Sequence, residues 1–180
     1  MSGSGLIRWG AAAFMLAGVA FITRSRIPAA SSLGDTIQLV AIALLAVGLV
    51  GLHALQKDHY GRIGRVFGLA GLSIAVIAAL ASAIARIVIL VTGSKALLPI
   101  IDLAGPGVLL GLVLCGVATL LARVLPLWAG VGLIVALPLR FALVVIDPWG
   151  LTLFGLWWVV LGYVLWSRRE AVGQQPSRVT

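Results

Sequence analysis

Residues 66–91 read VFGLAGLSIAVIAALASAIARIVILV, a run of 26 residues with a single charge, Arg86. An uninterrupted apolar stretch of more than about 18–20 residues is long enough to cross the hydrocarbon core of a bilayer as a helix. A helix is also the form in which such a segment satisfies its own backbone hydrogen bonds in lipid. This stretch therefore assigns the chain to the membrane. It also poses a question, because an inserted arginine costs about 2.5–3.5 kcal/mol at a helix centre and less near an end. Gly71, Ala75, Ala78, Ser82 and Arg86 follow steps of three or four residues and fall on one helical stripe. Small residues let helices approach closely in lipid, so the stripe is the expected packing face and Arg86 points into the bundle.

The rest of the chain repeats the pattern. Of its 180 residues, 62% are hydrophobic and only 10% charged, well outside the balance of a soluble domain. Six apolar segments are expected to span: 6–23, 36–55, 66–91, 103–121, 126–146 and 148–167. They make an all-α membrane bundle of three consecutive helical hairpins over residues 1–170, with a disordered tail at 171–180. The first segment also resembles a signal peptide, but Arg24 and Arg26 stand where a cleavage region avoids positive charge, so a retained helix is expected.

Basic residues set the orientation. Arg8, Lys57, Arg62, Arg65, Arg123, Arg168, Arg169 and Arg178 fall on one side, against Arg24, Arg26 and Lys95 in the loops of the other. The positive-inside rule then places both termini in the cytoplasm. Trp9, Trp128 and Trp166 join that inner interface, where indole rings are favoured. The net charge of +8 is thus accounted for by topology and calls for no nucleic acid. The expected partners are the bilayer, anionic lipid and other membrane proteins.

Each even-numbered segment runs from an outer aspartate to an inner base 21 or 22 residues later: Asp35 to Lys57, Asp102 to Arg123, Asp147 to Arg168. Each odd-numbered segment carries an arginine toward its outer end, at Arg24, Arg86 and Arg140, below a stripe of small residues. Asp35 with Gln38, and Asp147 with Pro148, have the spacing of helix N-caps. Asp102 fits a cap poorly, because "DLAGPG" places Gly105 and Pro106 soon after it. It is therefore the expected partner of Arg86, across the short 92–101 connection. Arg86, Arg140 and Asp102 form the candidate binding site, an outer vestibule for an anionic solute or lipid headgroup.

No other chemistry is signalled. His53 and His59 lack metal-ligand spacing, the single Cys115 sits in an apolar run, and no P-loop, HExxH or nucleophile turn occurs. No catalytic residue, metal or cofactor is therefore assigned. The inner turn QKDHYGRIGR, 56–65, is expected to be a solvated loop touching anionic lipid. Gly64 and Gly68, and Gly107 and Gly111, have helix-association spacing and are expected to pack within one chain. Pro138 is expected to interrupt the fifth helix.

The stretches GLVGLHALQKDHYGRIGRVFGLAG (48–71), LARVLPLWAGVGL (121–133) and GLWWVVLGYVLWSRRE (155–170) resemble segments of small six-helix bacterial membrane proteins of unknown function, the DUF4386-like set among them. The resemblance implies a fold and a membrane location and carries no site residues. The chain accordingly reads as a non-enzymatic accessory or regulatory membrane component. A small transporter or channel subunit is the alternative.

Overall fold

A computed structural model describes residues 3–28, 31–143 and 149–173. It contains six helices: α1 (Gly3–Arg24), α2 (Ser32–Gln56), α3 (Arg62–Thr92), α4 (Leu98–Ala122), α5 (Leu127–Leu143) and α6 (Trp149–Gly173), with a 3-10 turn at Lys95–Leu97. Among the described residues there is no strand. Among the described residues, five helices are long and apolar enough to cross a membrane. The fifth, α5, has 17 residues, about 25 Å at the usual helical rise. The surface agrees with this assignment, since α3 presents Ile77, Leu80, Ile84, Ile87 and Val91 outward, with Val91 80% exposed. An apolar face of that extent is stable against lipid and not against water. The molecule is a multi-pass membrane protein.

The helices alternate in direction and follow one another around a ring. The broadest contact is α3 on α4, then α1 on α6 and on α2; α5 rests on α4, and α2–α3 and α5–α6 meet more thinly among the described residues. The first two hairpins are tight pairs, whereas α6 closes the ring mainly by packing on α1.

Glycine determines how closely these helices approach. A Cβ on Gly51 would meet the Cα of Gly10 and lie 3.0 Å from the Leu6 carbonyl oxygen, so α1 and α2 touch backbone to backbone. On α3, a Cβ at Gly71 would lie 2.8 Å from the Gly111 oxygen and 2.8 Å from the Cys115 nitrogen of α4. Gly107 faces Ala78 in the same seam. The stripe expected on α3 is thus its packing face, and Gly107 and Gly111 pack within the chain. Ala13, Ala17, Ala129 and Ala136 on the two corresponding stripes are also buried.

The core lies between the helices. Trp158 of α6 is fully buried, stacked on Phe14 of α1 at 5.1 Å and edge-on to Phe154 at 5.8 Å. Leu45, Leu49 and Leu52 of α2 and Leu133 of α5 complete this cluster. Because Phe14, Ala17 and Phe21 of α1 belong to it, α1 is an integral part of the bundle.

Several boundaries depart from expectation. α2 starts at Ser32, capped by Ser31, whose hydroxyl accepts from the Gly34 amide at 3.0 Å. Asp35 is therefore in the first turn and is not the cap. α4 starts at Leu98 with a proline in its first positions, and Pro106 lies inside it, so Gly105 is no cap and Asp102 stands a turn into the helix. The helix α5 runs through position 138 to Leu143 without interruption. Further along, α6 extends to Gly173, three residues into the expected tail. The N-cap reading of Asp147 and Pro148, and residues 174–180 of the tail, fall outside the described residues.

Candidate functional site

Between α2, α3 and α4, with Phe21 of α1 and Phe154 of α6 also on its wall, lies a partly open cavity of about 290 Å³. It lies toward the end holding the α1–α2 and α3–α4 connections, since its lining residues Gln38 and Asp102 are near the starts of α2 and α4 and Arg86 is near the end of α3. Its floor is apolar, made by Phe21, Leu45, Leu109, Leu112 and Phe154. Its polar lining is Gln38, Ser82, Arg86 and Asp102. The periodicity of α3 explains the placement, because Ser82 and Arg86 continue the small-residue stripe past the point where α4 packs closely.

Arg86 does point inward, but its partner differs from the one expected. Arg86 Nη1 donates to Asp35 Oδ1 at 3.4 Å, the side chains being 21% and 44% exposed. Asp102 makes no hydrogen bond or ion pair among the described residues, although it lines the same cavity as Arg86. The cap explains the exchange. With Ser31 satisfying the α2 terminus, the Asp35 carboxylate is free to turn toward α3. The ion pair is long and part-exposed, and Arg86 Nε is shielded from solvent with no acceptor. Among the described residues only one of the five guanidinium donors has an acceptor. Arg140, the remaining candidate, has its side chain outside the described residues.

Removing either partner tests this pairing. Arg86→Met and Asp35→Asn are expected to be coupled by about 0.2–1 kcal/mol in a double-mutant cycle read by thermal unfolding in detergent. Asp102→Asn should stay within about 0.5 kcal/mol of the parent and add independently to Arg86→Met. Coupling of Arg86 to Asp102 instead would show the pairing to be wrong.

The opposite end is closed by a polar cluster that the sequence reading missed. Tyr60 Oη donates to Gln56 Oε1 at 2.8 Å, Gln56 Nε2 donates to Thr119 Oγ1 at 3.0 Å, and Thr119 Oγ1 donates to the Cys115 carbonyl at 2.8 Å. Gln56 and Thr119 are each 1% exposed. The Tyr60 ring fills the notch left by Gly64 and Gly68, and burial raises its hydroxyl pKa, so it remains a donor. His53 stands beside it, with ring centroids 5.5 Å apart. The space between His53, Gln56, Tyr60 and Cys115 is too narrow for a water molecule. The stretch 56–65 is therefore not a solvated loop throughout. Lys57, Asp58 and His59 are exposed, while Gln56 and Tyr60 are parts of the interior. The signal was present in the spacing, since Leu45, Leu49, Leu52 and Gln56 continue one buried stripe of α2.

Among the described residues no three His, Cys, Asp or Glu side chains gather at metal-binding distance. Cys115 is a buried free thiol. At the terminal end, Arg8 lies over the Trp166 ring at 5.8 Å, and Trp9 and Trp128 are exposed at the same level, in the arrangement expected of an interfacial belt.

The chain matches no protein-family model, no curated protein and no solved structure. The likeness to DUF4386-like proteins therefore rests on the three stretches quoted above.

Proposed function

We propose that this is a non-enzymatic accessory or regulatory protein of a bacterial cytoplasmic membrane. Both termini face the cytoplasm, and the Arg86–Asp102 cavity opens outward as a binding vestibule. The observation that carries the reading is the contrast between the two ends of the bundle. One holds a cavity of about 290 Å³ lined by a guanidinium with a single acceptor and a carboxylate with no cation among the described residues, whereas the other is closed by the Tyr60–Gln56–Thr119 relay. A volume near 300 Å³ is at the small end of ligand clefts. A pocket with one mouth and a packed floor holds a ligand without conducting it.

Sidedness follows from the eight bases of the terminal end against three in the opposite loops. Reporter fusions after Thr180 and between Ser94 and Lys95 test it. A cytoplasmic signal from the first and an external signal from the second are expected. The reverse pattern would turn the vestibule inward and overturn the reading.

Transport is the second reading, favoured by one feature. The groups α6–α1–α2 and α3–α4–α5 are each well packed but meet more thinly at α2–α3 and α5–α6. Rocking one group against the other would have to break the Gln56–Thr119 hydrogen bond. A Gln56→Leu variant that accumulates or releases a solute the parent does not move would favour transport over the accessory role.

A further inference from the structure

We infer that the vestibule takes a compact zwitterion, an ammonium beside an anionic oxygen group, that also carries an apolar side group. The inference rests on the vestibule reading and adds the ligand's charge pattern. Arg86 already shares its charge with Asp35, at 3.4 Å. Asp102, on the cavity wall, has no cation partner among the described residues. A simple anion would meet the guanidinium but leave the Asp102 carboxylate without a cation among the described residues, so the anionic ligand expected from the arginines alone uses only part of the polar lining.

A simple cation would meet Asp102 but leave the guanidinium donors idle. Four of the five Arg86 donors lack an acceptor among the described residues. The Arg86 Nε is shielded from solvent, and a shielded donor is costly when it lacks an acceptor. A ligand with both signs side by side satisfies the carboxylate and the guanidinium together, with Gln38 and Ser82 as further polar contacts. Below this mouth, the wall of Leu45, Leu109 and Phe154 offers no polar group, so the remainder of the ligand is apolar. At about 290 Å³ the space admits a side group of a few carbons, or a headgroup with the near end of one acyl chain, the rest of a lipid staying outside it.

The chemistry is shared by a free apolar amino acid and by an aminophospholipid headgroup, and the test separates them. Ser82 is buried on the cavity wall, so Ser82→Cys in a Cys115→Ala background gives a thiol whose reaction with a small impermeant reagent is slowed by an occupant. Gln38→Cys, nearer the mouth, is the second reporter should the first fold poorly. The probes are leucine, dihexanoyl phosphatidylethanolamine, dihexanoyl phosphatidylglycerol and dodecylammonium. Leucine or the phosphatidylethanolamine is expected to protect at concentrations about tenfold lower than the other two, a difference of about 1.4 kcal/mol. Protection by leucine identifies a free solute, and protection by the phosphatidylethanolamine alone identifies a lipid. Asp102→Asn should remove that tenfold advantage while the parental Asp102 retains it. Best protection by phosphatidylglycerol or dodecylammonium would overturn the zwitterion and leave the vestibule standing. A reactive thiol that no probe protects would overturn both.

Discussion

Gly51→Val is expected to separate α1 from α2 and to lower stability by more than the 1–3 kcal/mol usual for overpacking a core. The reason is geometric. The added Cβ would meet the Cα of Gly10 and approach the Leu6 carbonyl oxygen to 3.0 Å. Both are backbone atoms of the facing helix, and no rotamer change relieves them. In lipid the pair is held by close packing, since no water is released when apolar faces meet. An opened seam therefore loses its main attraction as well as incurring strain. Gly61→Ser is the informative control. Nothing lies within 4 Å of a Cβ there, and Gly61 caps α3 without a side-chain hydrogen bond, so serine should be neutral or stabilising by a few tenths of a kcal/mol. Thermal unfolding in one detergent reads both variants. Equal effects would mean that the α1–α2 crossing is looser than described.

Trp158→Ala should cost about 3–5 kcal/mol, the range for truncating a large buried aromatic. The indole is fully buried at the meeting of α1 and α6, stacked on Phe14 and edge-on to Phe154. Trp158→Phe should cost far less. It keeps a ring in the stack and removes an indole N–H that has no acceptor among the described residues, and losing an unsatisfied buried donor offsets part of the lost volume. If phenylalanine is as damaging as alanine in the same unfolding assay, the indole nitrogen has a partner and the packing account of this site is wrong.

The sequence makes the helices legible because lipid imposes a simple rule, apolar runs of spanning length, and five of the described helices obey it. The stripe from Gly71 to Ser82 was legible for a related reason, since close approach in lipid selects small residues at helical spacing. What periodicity does not contain is which polar group meets which. Asp35 and Asp102 are both acids near the ends of apolar runs. Choosing between them required knowing that Ser31 takes over the cap and that α4 begins five residues earlier than its apolar run, at Leu98 instead of 103. Gln56 and Tyr60 were lost to the loop for the same reason. Polar residues beside Lys57 and Asp58 look solvated until Thr119, 63 residues away, supplies the hydrogen bond that allows Gln56 to be buried. The floor of the cavity was hidden likewise, because Phe21 and Phe154 come from opposite ends of the chain and meet only when α6 closes on α1.

The proposed vestibule is open on the outer side and sealed on the inner. Thiol accessibility in membranes of known orientation measures it most directly, in a Cys115→Ala background with a small impermeant reagent applied to one face at a time. Ser82→Cys, on the cavity wall, is expected to react from outside and not from the cytoplasm. Thr119→Cys, in the sealed cluster and 1% exposed, is expected to react from neither. Reaction of Thr119→Cys from the cytoplasm with Ser82→Cys inert from outside would contradict the account.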